Sequence, residues 1–243
     1  MLNNLCTDIL RAFSVGTQAN NHELFDKAHD LSVYFHMNSA TPALLDTVIE
    51  LEYSVLKMTG PHKQFLEECI FGALRRSTCY YAPEDEPWEK LNQDFAEVGL
   101  TSEQKLRRKL ALRIVTFSEQ IFAQNRPRDT FANKRKCLAM GLLDRIDRYY
   151  DVPQCEKLYV AALASGKKAL VPAAVEFYEN YLRRRNAELT PEVLALLDKL
   201  VRKTKNRSVA VAALNLQVTT GVISELSALS DIDEWKEKNV NRW

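Results

Sequence analysis

Glycine and proline are scarce in this chain. There are 7 and 8 of them among 243 residues, against average usage of about 7% and 5%. A turn-rich β sandwich or barrel needs more of both, so long helices are favoured. No stretch of 18 consecutive apolar residues occurs, and no transmembrane helix is expected. Met1–Leu10 holds Asp8 and no basic residue, so it does not read as a secretory leader. Cys6, Cys69, Cys79, Cys137 and Cys155 form no CxxC pair, which removes the spacing of a structural zinc site. Free thiols in a reducing cytoplasm are the expectation.

Catalytic signatures are missing too. Neither HExxH nor GxSxG is present, and no Cys or Ser stands in a nucleophile motif. His22, His29 and His36 fall seven apart on one helix face. Seven residues rise about 10.5 Å along a helix, whereas a metal ion holds imidazole nitrogens at about 2 Å. The three cannot share an ion. His29 with Asp26 or Asp30 is the closer pairing, and surface or boundary histidines are expected. Glu67-Glu68 and the pair Asp144 and Asp147 read as solvated helix faces. Asp144-Arg145 and Asp147-Arg148 read as surface ion pairs of little energetic value. Ser165-Gly166-Lys167-Lys168 lacks the first glycine of a phosphate loop, the following Ser or Thr, and a preceding strand. It reads as a bend between helices, with Gly166 in the left-handed position after the first and Pro172 in the first turn of the second. No metal, cofactor or small-molecule substrate is implied.

Helical periodicity is present almost everywhere. It predicts helices over 3–14, 22–36, 42–58, 62–77, 103–123 and 129–149, with a short one at 88–97. Thr41-Pro42 opens one helix, and Thr101 with Gln104 forms a capping box for another. "TCYYAPEDEPW" (78–88) has two prolines, three acids and no helical period. It divides the chain into acidic helical pairs at 1–77, an irregular connector at 78–100 and a basic helical region at 101–243. The tail "DIDEWKEKNVNRW" reads as a capping helix.

The C-terminal region repeats. Pro153 and Pro191 each start a helix, and "LVPAAVEF" (170–177) overlies "VAVAALNL" (209–216) at an offset of 39. Leu170 falls on Val209, Ala173 and Ala174 on Ala212 and Ala213, Val175 on Leu214, and Phe177 on Leu216. Small residues at matched places let neighbouring helices approach closely. A period of this length with two helices per unit marks an α-solenoid. "LYVAALASGKKALVPAAVEFYENYL" and "ALLDKLVRKTKNRSVAVAALNLQV" resemble HEAT or armadillo repeat junctions over about 150–228. The resemblance implies an all-α superhelix of about five helix pairs that binds partners and performs no chemistry. Some HEAT-like proteins are DNA-repair glycosylases, but no catalytic set carries over to this chain.

Charge is unevenly spread. Residues 1–100 hold seven Lys and Arg against fifteen Asp and Glu, net −8; residues 101–243 hold 26 against 17, net +9. The basic clusters are Lys105, Arg107, Arg108, Lys109 and Arg113; Lys134, Arg135 and Lys136; Lys167 and Lys168; Arg183, Arg184 and Arg185; and Lys199, Arg202, Lys203, Lys205 and Arg207. Three readings apply. In the first, the clusters are ordinary solvated helix faces, where cations at helix ends also complement the helix dipole. Stacked repeats would align them on one edge for a protein partner with an acidic surface. The same edge would track nucleic-acid phosphates. The edge candidates are Lys105, Arg108, Lys134, Arg135, Lys167, Lys168, Arg183, Arg184, Arg185, Arg202, Lys203 and Arg207. Among the aromatics of this region, Phe177 and Tyr178 lie on the apolar stripe with Leu170, Ala174 and Leu182, which assigns them to the core. The leading expectation is a cytoplasmic, non-enzymatic interaction scaffold with a protein partner and no membrane; a HEAT-like nucleic-acid binder is the alternative.

Overall fold

The computed structural model describes residues 41–57, 63–77, 89–90, 101–124 and 129–240, with isolated positions before residue 41. The helices expected over 3–14 and 22–36 therefore lie almost wholly outside the described residues, as does most of the 78–100 connector. The described residues are mostly helical, with almost no strand. They fall into two compact units. The first spans Met1–Asn125 with Arg145–Val152, and the second spans Arg126–Asp144 with Pro153–Trp243.

In the first unit, α1 is Pro42–Leu56, α2 is Lys63–Ser77 and α3 is Ser102–Ala123. The Thr41 hydroxyl accepts the Leu44 N–H at 3.2 Å, and Pro42 sits in the first turn. This satisfies one of the orphan donors every helix start leaves. The capping box at Thr101 is formed in both directions. α1 buries Leu45, Val48, Leu51 and Val55 at helical spacing against α2 and α3. Phe71 of α2 and Phe117 of α3 meet with ring centroids 5.6 Å apart, and Tyr53 of α1 meets the same Phe117 edge-on at 6.1 Å. Each fully buried Leu, Val or Phe of such a core contributes about 1.5–3 kcal/mol.

One expectation here is corrected. Glu89–Lys90 form a two-residue strand, β1, paired in parallel with β2, Tyr150–Asp151; this part of 88–97 is not helical. Backbone pairing with a distant segment overrode a weak local periodicity. A neighbouring side chain supports β2, since buried Asp147 accepts the Val152 N–H at 3.2 Å.

The second unit holds α4 (Ala132–Asp147) as far as Asp144, then α5 (Gln154–Ala164), α6 (Val171–Arg185), α7 (Pro191–Lys203), α8 (Arg207–Thr219) and α9 (Glu225–Val240). α5 packs on α6 and α7 on α8. The first members of the pairs, α5 and α7, touch each other, and so do the second members, α6 and α8. Burial in the second members follows the 39-residue offset at most positions, although Ala173 and Phe177 are only half-buried where Ala212 and Leu216 are buried. Leu170 and Val209, Val171 and Ala210, Ala174 and Ala213, Val175 and Leu214, and Tyr178 and Gln217 are buried at matched places. Ala174 and Ala213 have no exposed surface, so adding volume there would force neighbouring side chains off their rotamers.

The bends also follow local chemistry. Gly166 has φ +60, the left-handed conformation that costs a side-chain-bearing residue about 1–2 kcal/mol. Asn186 closes α6 in the same conformation at φ 48. Thr190 and Asn206 cap α7 and α8 through their side chains. α9 continues through the tail sequence to Val240. It docks on α8, burying Ala228 and Trp235, and the Trp235 indole donates to the Thr204 carbonyl at 2.8 Å.

Candidate functional site

The twelve cations of the predicted basic edge separate into distinct environments. Lys105 and Arg108 stand on α3, in the first unit. The other ten belong to the second unit, where they divide between the two ends of its helices.

Arg183, Arg184 and Arg185 close α6. Both terminal nitrogens of Arg184 reach Asp144 Oδ1 at 3.0 Å, and the Asp144 side chain is only 4% exposed. Arg183 pairs with Glu179 one turn back. The Arg185 guanidinium lies 3.7 Å from the centre of the Tyr181 ring, a stacked cation–π contact. Arg135 is 2% exposed; it bonds Asp129 Oδ2 at 3.0 Å and lies 5.6 Å from the Phe131 ring centre. Arg135 and Arg184 therefore belong to internal ion pairs, and the sequence reading that set them on an edge is corrected. A buried cation needs a partner to offset its lost hydration, and Asp129 and Asp144 supply it. Asp144 and Asp147 are themselves buried, as is Glu67, so their assignment to solvated faces is corrected as well.

The remaining candidates meet at the other end. Lys134 sits in the first turn of α4. Lys167 and Lys168 occupy the turn between α5 and α6, and Lys167 Nζ donates to Asn133 Oδ1 at 3.4 Å. That bond brings the turn beside Lys134. The same turn lies against the end of α7, since a Cβ at Gly166 would sit 3.7 Å from Leu200 Cδ2. Arg202 and Lys203 end α7, and Arg207 begins α8. Lys134, Lys167, Lys168, Arg202, Lys203 and Arg207 are all exposed. Arg183–Arg185 lie at the far end of a 15-residue helix, about 22 Å away along its axis.

Two further cations join this end face. Lys136, half-buried, has its ammonium pKa held below the ordinary lysine value, first by burial and then by the charge of Lys167. A neighbouring like charge disfavours the protonated form, and that neighbour is the Lys167 ammonium of the α5–α6 turn. Lys205 helps line a cavity of about 710 Å³ with Arg202 and Lys203, bounded by Asp198, Asp231 and Glu234. Sequence clustering contained both residues. It contained no signal for Asp231 and Glu234, which α9 brings up from 26 and 29 positions beyond Lys205, whereas Asp198 stands four residues before Arg202 on α7.

Among the described residues, the tyrosines of α5 and α6 do not offer aromatic platforms at this face. Tyr159, Tyr178 and Tyr181 are buried, with Tyr159 6.1 Å from Phe177 and Tyr178 6.0 Å from Tyr181 between ring centres. They pack between α5 and α6; Tyr178 is buried as the apolar stripe predicts, whereas Phe177 is only half-buried. Among the described residues, no group of three His, Cys, Asp or Glu is placed to hold a metal ion, and no helix is long and apolar enough to cross a membrane. No family model, no curated protein and no solved structure matches the chain.

Proposed function

We propose that this protein is a non-enzymatic interaction scaffold, with C-terminal helices stacked as a HEAT- or armadillo-like α-solenoid, that receives an acidic protein surface on the basic end of its second unit. The observation that carries this reading is the convergence of exposed cations from three separate helix junctions: the start of α4, the α5–α6 turn and the α7–α8 turn. Helix-dipole compensation accounts for cations that end α7. It does not account for Lys134 or Arg207, which stand at helix starts where a cation is unfavourable. The solenoid is supported by the paired contacts of α5 with α7 and α6 with α8, and by their matched burial.

A protein partner is favoured over single-stranded nucleic acid because Tyr159, Tyr178 and Tyr181 are spent on the core. Sequence-tolerant strand binders stack bases on exposed rings. The test is titration of the full chain with a synthetic glutamate-rich peptide and with duplex DNA, each at two salt concentrations. We expect the peptide to bind, and Lys167→Glu with Lys168→Glu to weaken it roughly tenfold. Arg183→Glu, at the far end, is expected to leave binding unchanged. DNA binding with a steep salt slope, and none to the peptide, would transfer the site to nucleic acid. Loss of neither on charge reversal would overturn the basic-end reading.

A further inference from the structure

A second surface of the same unit has the opposite character. A cavity of about 620 Å³ opens between α6, α8 and α9. Ala212 and Val218 of α8 line it, with Val175 from α6 and Leu229 and Ile232 from α9. Leu229 of the lining is 59% exposed, and Leu226 and Val222, near it in sequence, are 79% and 46% exposed. Single exposed leucines are ordinary on protein surfaces. An exposed leucine lining an apolar hollow, with two more exposed apolar residues within seven positions of it in sequence, is the kind of surface that marks an interaction site.

The rim carries one sign of charge. Glu176 and Glu179 come from α6 and Glu225 from α9, and neither Lys nor Arg lines the hollow. Arg183 pairs with Glu179 and offsets part of that charge, while Glu176 and Glu225 remain exposed. An anionic ligand is repelled by such a rim, and a neutral apolar one leaves it unused. A cation set beside an apolar face satisfies both parts.

Length selects the form of the occupant. The lining runs from Pro172 to Glu179 on α6 and from Ala212 to Thr219 on α8. Each is about 10 Å at helical rise, or two turns. Two turns of a docked helix present apolar side chains at i, i+3 or i+4, and i+7. We propose that this groove docks an amphipathic helix of a partner protein, which places two or three leucine-sized side chains between α6, α8 and α9 and sets Lys or Arg against Glu176 and Glu225. The two surfaces of the unit then select opposite charges, and this proposal stands apart from the basic end.

The test uses the full chain and two synthetic helical peptides of equal charge, a Leu/Lys peptide with that spacing and its Ser/Lys counterpart. The Leu/Lys peptide is expected to bind, and the Ser/Lys peptide to bind at least roughly tenfold more weakly. Leu226→Ser with Leu229→Ser, and separately Glu176→Lys with Glu225→Lys, should each weaken Leu/Lys binding roughly tenfold. All four residues are exposed, so the variants should keep the wild-type circular dichroism and glutamate-peptide binding. Lys167→Glu with Lys168→Glu should leave Leu/Lys binding unchanged, which separates failure of this proposal from failure of the basic-end reading. Equal binding of the two peptides, or no loss in the leucine variant, overturns the groove. A wild-type dimer that the leucine variant dissociates would assign the surface to a second copy of the chain and overturn it too.

Discussion

Helix α6 carries cations at both ends. At its C-terminal end, Arg183, Arg184 and Arg185 are held by Glu179, Asp144 and the Tyr181 ring. At its N-terminal end, Lys167 and Lys168 stand in an exposed turn, with one long hydrogen bond to Asn133. In sequence the arginine run is the denser cluster and looks the stronger binding motif. In the folded unit each of the three has a partner, Arg184 and Arg185 are half-buried, and only Arg183 stays exposed. The difference lies in residue type as well as position. A planar guanidinium fits a carboxylate or a ring face and tolerates partial burial, whereas an ammonium keeps its hydration. Basic runs rich in Arg beside aromatics and acids are therefore candidates for internal pairing, and short Lys pairs in turns are candidates for recognition.

This contrast between held and exposed cations is open to direct attack. Arg135→Ala should cost most, about 3 kcal/mol, because it strips the cation from a pair in which both side chains are largely buried. Urea unfolding of the variant reads this as a lower midpoint. Arg184→Ala should follow at about 2 kcal/mol, since its own side chain is 21% exposed while Asp144 is 4% exposed. A double-mutant cycle with Asp144→Ala should return a coupling of about 1 kcal/mol or more. Arg185→Ala should lose about 0.5–1 kcal/mol from its contact with Tyr181. Lys167→Ala with Lys168→Ala should change stability by less than about 0.5 kcal/mol while weakening capture of the glutamate-rich peptide. A lysine doublet that destabilises as much as Arg184→Ala would erase the distinction.

Local chemistry made much of the fold legible. Thr41-Pro42, the Thr101 and Gln104 pair, and Gly166 all do what their side chains and backbone freedom dictate, because the atoms involved lie within four residues of one another. The 39-residue offset was legible for a related reason. Helices in equivalent positions bury the same face, so Ala174 and Ala213 come to match. The candidate site was legible only in composition. Whether a cation is exposed depends on residues brought up by other helices, as Asp144 is to Arg184 across 40 positions. The strand at Glu89–Lys90 was hidden likewise, its partner lying 61 positions away at Tyr150–Asp151. The acid-rimmed groove joins three helices and left no mark in any local window.

The way α5 to α9 touch bears on how the second unit assembles. Helices in contact there are neighbours or next-neighbours along the chain, from Asp144 and Arg184 to α6 and α8 and to α8 and α9. Segments so close in sequence meet after closing short loops, at little entropic cost. Topologies dominated by such contacts fold quickly. Each helical hairpin can form as soon as its second helix is complete, and the next can settle on it without waiting for the rest of the chain. The lysine end face comes late in that order, ahead only of the docking of α9, because it exists only once three successive junctions have been laid side by side.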